Sequence, residues 1–183
     1  MDLTLKQYDD VVKKCRELFL KKMNDYGTAW RILRPSSLTD QIYIKAQRIR
    51  SIDEKGTQRI SEGIIPEFIG IANYSVMALI QIELNDYENL NLDSAQAIEL
   101  YNKYIDKAQR LMQDKNHDYG EAWRDMRVGS LTDIILMKIF RTKQIEDNNG
   151  MTKVSEGVDA NYYDMINYAI FALIKLFEEQ KTK

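Results

Sequence analysis

The chain has 183 residues, of which 44% are hydrophobic and 30% charged, with only eight glycines and two prolines. This composition excludes a turn-rich β-sandwich and a disordered chain, and it favours a soluble all-α protein. The formal net charge of −2 gives no strong signal for nucleic-acid binding or for an anionic membrane surface. The single cysteine, Cys15, excludes an intrachain disulfide and a cysteine zinc cluster.

The sequence also indicates the cellular compartment of the protein. The first ten residues lack the basic-then-apolar layout of a secretory signal, and we expect no apolar run to approach the roughly 20 residues of a membrane span. We therefore predict a cytoplasmic protein without membrane contact. The sequence leaves open a homo-oligomer.

The chain contains two copies of one unit. Residues 22–52 align without a gap with residues 115–145, and 16 of the 31 aligned positions are identical. A further stretch, residues 61–80, aligns with residues 155–174 at eight identities in 20 positions. A duplication of this extent predicts an architecture of two equivalent units.

This duplication sets the predicted domain organisation. We predict a first three-helix repeat over residues 1–86, a connector over 87–93 and a second three-helix repeat over 94–183. The two repeats should pack as one globular domain, a bundle of about six main helices related by a pseudo-twofold axis.

The first helix of each repeat is predicted over residues 5–24 and 94–117. Asp93 is a suitable N-cap for the second of these helices. An Asp-Tyr-Gly sequence should end each helix, because Gly27 and Gly120 tolerate a left-handed C-cap.

The second and third helices have their own start signals. The second helices should begin at the Ser-Leu-Thr-Asp sequences of Ser37 and Ser130, whose spacing resembles a capping box, and should end near Glu54 and Asp147. The third helices should follow each Ser-Glu-Gly sequence, with Pro66 in a first turn. Because the third helices are apolar around much of their circumference, they should be the central, most buried helices.

The most specific feature is the repeated motif Lys-x-x-Asp-Tyr-Gly-x-Ala-Trp-Arg-x-x-Arg at residues 22–34 and 115–127. Packing explains its alanines and tryptophans but does not require the charged residues in both copies. Lysine and arginine next to a helix start suit a phosphate chain. The alternative is internal ion pairing, of Lys22 with Asp25 and of Arg31 or Arg34 with Asp40. The candidate phosphate- or nucleotide-binding residues of the motif are Lys22, Asp25, Tyr26, Arg31, Arg34, Lys115, Asp118, Tyr119, Arg124 and Arg127.

Two further pairs of repeated residues lie on the predicted helices. A lysine and an arginine three residues apart share one face of each second helix, and they either point into a cleft or extend along the edge of the core. An asparagine within each apolar third helix needs a partner, either a hydrogen-bond network between the repeats or the base or sugar of a ligand. These candidates are Lys45, Arg48, Lys138, Arg141, Asn73 and Asn167.

The acidic residues of the third helices suggest a metal site. Glu67 and Asp164 each supply one acid of a helical i, i+3 pair that could hold Mg²⁺ against a phosphate, so only together do they make a pair. Glu62 and Glu156, just before these helices, could add oxygen ligands. The alternative for Glu62 and Glu156 is ordinary compensation of the helix dipole. Mg²⁺ is therefore the expected cofactor if these acids converge.

The duplicated motif, together with the repeated Ser-Leu-Thr-Asp, Lys-x-x-Arg, Ser-Glu-Gly and Asn-Tyr sequences, resembles the nucleotide modification associated domain family, formerly a domain of unknown function. The resemblance covers almost the whole chain and implies a role near normal or modified nucleotides. More distantly, the apolar helix with its acidic residues is similar to the metal-binding helix of the all-α nucleoside triphosphate pyrophosphatases. In that family, clustered acids hold magnesium and the α,β phosphate bond is split.

Two functions remain open at this point. The first is a nucleotide-binding protein that acts as a magnesium-dependent nucleotide pyrophosphohydrolase on a normal or modified nucleotide. Its metal would polarise the phosphate and activate water, and the repeated basic residues would neutralise developing charge. The second is a non-catalytic helical module that binds a nucleotide, a modified base or a protein partner.

Overall fold

The computed structural model describes residues 2–57, 63–154 and 156–182. Within these residues the protein is all-α, as predicted, and no strand is present. The six helices are α1 (Asp2–Tyr26), α2 (Pro35–Lys55), α3 (Ile65–Leu84), α4 (Ser94–Tyr119), α5 (Val128–Asp147) and α6 (Val158–Lys181). Two 3-10 turns, Ala29–Ile32 and Ala122–Asp125, contain the Ala-Trp-Arg part of the motif and follow α1 and α4.

The predicted ends of the first helices are confirmed. α1 and α4 stop at the tyrosines of the Asp-Tyr-Gly sequences, and Gly27 and Gly120 have φ angles of 60° and 61°. These angles lie in the left-handed region that glycine adopts without strain. The Asp93 carboxylate accepts hydrogen bonds from the backbone N–H groups of Ala95 and Gln96, as its N-cap role predicts.

The predicted starts of the second helices are wrong by two residues. α2 begins at Pro35 and α5 at Val128, and neither helix has a side-chain N-cap bond. Proline suits the first helical position because its φ is preset and its missing N–H is not needed there. The capping-box aspartates instead form ion pairs between α2 and α5. These pairs are Asp40 with Lys143 at 2.5 Å and Asp133 with Arg50 at 3.6 Å.

The third helices, α3 and α6, are central, as their apolar sequences predict. They pack against each other, and each packs against the second helix of its own half and against α1 and α4. Their buried residues include Phe68, Ile71, Tyr162 and Ile166, each 0% exposed. The six helices therefore enclose one hydrophobic core.

The expectation that no apolar run reaches membrane-spanning length is wrong for one helix. Ile65–Leu84 has 20 residues and is long and apolar enough to cross a membrane by length and composition alone. In this fold α3 packs against α1, α2, α4 and α6, and 67% of its apolar window is buried. A central position in the bundle accounts for its apolar sequence without a membrane.

A hydrogen-bond network built on the two mid-helix asparagines connects the halves. Asn73 Nδ2 donates to the Cys15 carbonyl at 3.0 Å, and Asn73 Oδ1 accepts from the Tyr101 hydroxyl at 2.8 Å. The equivalent bonds in the other half, at the same two distances, join Asn167 to the Ala108 carbonyl and the Tyr8 hydroxyl. Each half thus donates a tyrosine hydroxyl to the asparagine of the other. This exchange is consistent with a twofold relation, while the rotation itself stays a prediction.

Candidate functional site

The carboxylate of Asp164 is held between two lysines. Lys115 Nζ lies 2.5 Å from Asp164 Oδ1, and Lys138 Nζ lies 2.6 Å from Asp164 Oδ2. The aspartate side chain is 10% exposed, that of Lys138 15% and that of Lys115 47%. The end of α4 and the middle of α5 supply the lysines, and the first half of α6 supplies the aspartate. Two cations against one carboxylate leave a local net positive charge, which suits an anionic ligand.

A cavity of about 320 Å³ lies beside this cluster and is called the inner cavity below. Its volume is at the lower end of the range typical of small-ligand sites. Most of its wall is apolar or aromatic, which suits a planar base. The lining residues are Met112, Lys115, Asn116, Tyr119, Ala122, Trp123, Met126, Lys138, Asp164, Asn167, Tyr168 and Phe171.

Trp123 is the most informative residue of the inner cavity. It is 5% exposed, its ring stacks on Phe171 at a centroid distance of 4.2 Å and an angle of 3°, and the Arg124 guanidinium lies 4.5 Å from its centroid. Its indole N–H is buried and has no hydrogen-bond partner among the described residues. A buried donor without a partner costs about 1–3 kcal/mol.

The sequence interpretation assigned Trp123 to packing, and the structure confirms that its ring belongs to the hydrophobic core. A second tryptophan, Trp30, occupies the equivalent position in the first half, and its indole N–H also lacks a partner among the described residues.

The pKa values of Tyr168 and Cys15 are both raised, so both groups stay protonated near neutral pH. Burial, and then the Asp164 carboxylate, raise the pKa of Tyr168, so its hydroxyl remains a possible donor in the inner cavity. Burial raises the pKa of Cys15 to about 12, which makes its thiol a poor nucleophile.

The inner cavity contains part of the predicted second-half site. Its wall includes the predicted nucleotide-binding residues Lys115, Tyr119, Lys138 and Asn167. It also includes Asp164, which was predicted as a metal ligand. The Asp-Tyr-Gly segment and the basic face of α5 therefore border one cavity through Tyr119 and Lys138.

The remaining motif residues of the second half lie elsewhere. Asp118 is exposed beside His117, and Arg127 is exposed in the wall of a separate cavity of about 440 Å³. Arg124 donates to Thr4 Oγ1 at 2.5 Å and to Gln7 Oε1 at 2.7 Å, which fastens its 3-10 turn to α1.

A larger, more open cavity of about 820 Å³, the outer cavity, adjoins α5. It contains the other predicted residues of this region, Arg141 and the exposed Glu156. Its wall also includes Lys138, which therefore lines both cavities. Asn161, at the start of α6, is the residue that aligns with Glu67 of the first half, and it lines the outer cavity.

The first half arranges the equivalent residues differently. Glu67 Oε1 lies 2.7 Å from Arg48 Nη1, and Glu67 Oε2 lies 3.3 Å from Lys45 Nζ. Gly70 stands where the second half has Asp164. A Cβ atom on Gly70 would lie 2.5 Å from Lys45 Cδ and Cε, so the lysine stem occupies this space. Lys45 Nζ also lies 5.7 Å from the centre of the Tyr74 ring.

The first-half motif arginine is part of the core. Arg31 is 3% exposed and donates to Gln81 Oε1, to the Asp86 carbonyl at 2.5 Å and to the Asn89 carbonyl at 3.1 Å. These bonds hold the connector between the halves, so we do not include Arg31 in the ligand site. The other motif candidates of this half are exposed, namely Lys22, Asp25, Tyr26 and Arg34.

The described acids do not fit the expected magnesium site. No group of three or more His, Cys, Asp and Glu side chains in the described part of the chain is placed to hold a metal ion. The carboxylates of Glu67 and Asp164 are each paired with two basic side chains. Glu156 is exposed in the outer cavity, and Glu62 lies outside the described residues. Magnesium binding stays a prediction.

These features define the class of protein, which is an all-α protein with a small, largely apolar cavity in its second half that carries a net positive charge. The sequence model of the family described as nucleotide modification associated domain 1 matches residues 22–82 and 115–176. The chain belongs to this family and contains two tandem copies of its domain. Membership relates the chain to nucleotides, as the resemblance implied.

Among curated proteins, the chain is similar to the protein translocase subunit SecA of Clostridium botulinum, strains Okra (Type B1) and Loch Maree (Type A3). Each alignment is 23% identical over 186 residues and covers 96% of this chain and 20% of the relative. The chain thus spans about a fifth of the length of these curated relatives. No solved structure matches the chain significantly. The similarity to all-α pyrophosphatases stays a prediction.

Proposed function

We propose that the inner cavity binds a nucleotide or a modified nucleotide. The observation that carries the proposal is the pair of lysines, Lys115 and Lys138, around Asp164 in the wall of a cavity that is otherwise largely aromatic and apolar. The net positive charge favours an anionic ligand, and the aromatic wall suits a planar base. The family description supports a nucleotide as that ligand.

Each part of a nucleotide has a suitable partner in this cavity. The base packs against the aromatic wall, with Tyr168 as its stacking partner, where one stacked base is worth about 1–3 kcal/mol. The phosphate lies between Lys115 and Lys138, the two cations of the cavity wall. Asp164 holds both ammonium groups in position, so their orientation is set before the ligand arrives.

Binding without turnover is the form of this proposal that the described residues favour. Hydrolysis of a nucleotide with magnesium requires carboxylates that can accept a metal, whereas both Glu67 and Asp164 are already paired with cations. The pyrophosphohydrolase hypothesis is therefore tested separately, by pyrophosphate and phosphate release from nucleoside triphosphates with and without Mg²⁺. Release that requires Mg²⁺ and disappears in Asp164→Asn would support the enzyme instead.

Isothermal titration calorimetry tests binding. Ribo- and deoxyribonucleoside mono-, di- and triphosphates are titrated into the wild-type protein, Lys138→Ala and Lys103→Ala. Lys103 is the matched control because it also pairs with a carboxylate, Glu83 at 2.6 Å, but lies outside the inner cavity.

We expect at least one nucleotide to bind and Lys138→Ala to weaken it about tenfold, which corresponds to the loss of about 1.4 kcal/mol. Lys103→Ala should bind like the wild type. No binding across the panel, or equal binding by both variants with unchanged circular dichroism, would contradict the proposal.

A further inference from the structure

The inner and outer cavities follow one another along the same two helices. On α5, Lys138 lines both cavities, and Arg141, one turn later, lines the outer one. On α6 the order is reversed, with Asn161 in the outer cavity and Asp164, one turn later, in the inner one. Three residues of helix advance about 4.5 Å, so each step from one cavity to the next is short. The two cavities therefore lie next to each other along the α5–α6 pair, with Lys138 between them, and the two together are called the groove below.

The chemistry changes along this groove. The inner end is aromatic, the middle is basic at Lys138, and the outer end combines Arg141 with large exposed apolar side chains. Phe140 is 56% exposed, Met151 67% and Val154 98%. An apolar surface of this kind beside a ligand cavity is a feature of binding sites rather than of ordinary protein surface. A nucleotide confined to the inner cavity leaves this outer surface uncovered.

We propose that the ligand is a nucleoside 5′-diphosphate that carries a second aromatic or apolar group on its terminal phosphate. This inference rests on the proposed function. The nucleoside occupies the inner cavity, the phosphates cross at Lys138 and Arg141, and the second group covers Phe140 and Met151. The complementary charge of phosphates to Lys138 and Arg141, and the adjacency of the two cavities on either side of Lys138, both favour one ligand that spans the groove.

The test compares two probes with the same base, namely the nucleoside 5′-monophosphate and the symmetrical dinucleoside 5′-diphosphate, in which a pyrophosphate joins two nucleosides. Calorimetry is performed for adenine, guanine, cytosine and uracil. The second nucleoside buries apolar surface on the outer cavity, so we expect the dinucleoside diphosphate to bind about tenfold more tightly than the monophosphate.

Two variants test whether this gain in affinity arises at the outer cavity. Phe140→Ser and Arg141→Ala should each remove most of the preference for the dinucleoside diphosphate and leave monophosphate affinity within about twofold. The matched controls are Ile44→Ser, which removes an apolar residue that is 58% exposed on α2, and Arg110→Ala on α4. Neither control residue lines the inner or outer cavity, so both should keep the preference.

The outcomes separate the two proposals. If no nucleotide binds, the proposed function itself fails. If the monophosphate binds but the dinucleoside diphosphate gains nothing, or if Phe140→Ser keeps the gain, the groove inference fails while the inner site stands. Analytical ultracentrifugation adds a third arm, in which a dimer that Phe140→Ser dissociates would assign the outer cavity to a second copy of the chain and overturn the inference.

Discussion

Removal of the Tyr8 hydroxyl should destabilise the protein by about 2 kcal/mol. Tyr8 is 0% exposed, and its hydroxyl donates at 2.8 Å to Asn167 Oδ1, on a residue that is 5% exposed. Tyr8→Phe keeps the ring and its packing but leaves a buried acceptor without this donor, which costs about 1–3 kcal/mol. The equivalent change, Tyr101→Phe, removes the same bond to Asn73 and should cost a similar amount.

Urea unfolding followed by circular dichroism measures both losses. The slope with urea should stay the same, because neither substitution changes the surface exposed on unfolding. Burial raises the pKa of both tyrosines well above its usual value, so both hydroxyls are protonated and the losses should not vary with pH near neutrality. Tyr119→Phe is the control, since Tyr119 is 74% exposed and should change stability by less than about 0.5 kcal/mol.

The two variants together test the exchange between the halves. If either Tyr8→Phe or Tyr101→Phe costs less than about 0.5 kcal/mol, its asparagine has another partner and the network does not join the halves as described. If the two costs differ by more than about 1.5 kcal/mol, the two halves are not equivalent in energy at this position.

Three other substitutions probe the site and the core. Trp123→Phe should weaken nucleotide binding about tenfold in calorimetry and lower the free energy of unfolding by about 1–2 kcal/mol, because the smaller ring leaves a void where the buried indole packs on Phe171; unchanged binding would contradict the site. Gly70→Ala should change the free energy of unfolding by less than about 1 kcal/mol, since better helix propensity offsets displacement of Lys45, and a larger loss would contradict this. Burial raises the pKa of the Glu146 carboxyl, so its contribution to stability is lost as the pH rises through that raised pKa. Glu146→Gln should therefore reduce the fall in the free energy of unfolding with rising pH, and an unchanged pH profile would refute this.

Local signals in the sequence were sufficient for most of the fold. Hydrophobic periodicity, the Asp93 cap and the glycines of the Asp-Tyr-Gly sequences act within one or two turns, and the helix ends they predict agree with the structure. The second helices are the exception. Their capping-box pattern suggested starts at Ser37 and Ser130, but the helices begin two residues earlier and the capping aspartates pair between helices.

The site was less predictable because its contacts join distant residues. The motif and α5 spacing indicated that Lys115 and Lys138 belong to a site. The ion pairs of Asp164 with both lysines depend on the packing of three helices, because Asp164 is 49 residues from Lys115 and 26 residues from Lys138 in the sequence. Treating the acid as a metal ligand ignored this pairing. The unpartnered N–H of Trp123 is a property of the packed environment and has no signature in the sequence.

The indole N–H resonances in a ¹H–¹⁵N NMR titration test nucleotide binding at the inner cavity most directly. The chain has two tryptophans, so two such resonances are expected, and Trp123→Phe assigns them. On titration with the tightest-binding nucleotide of the calorimetric panel, the Trp123 resonance should move and saturate at the calorimetric affinity, while that of Trp30 stays in place. A saturating shift of Trp30 alone, or an unmoved Trp123 resonance under conditions where the nucleotide binds, would contradict the assignment of the ligand to this cavity.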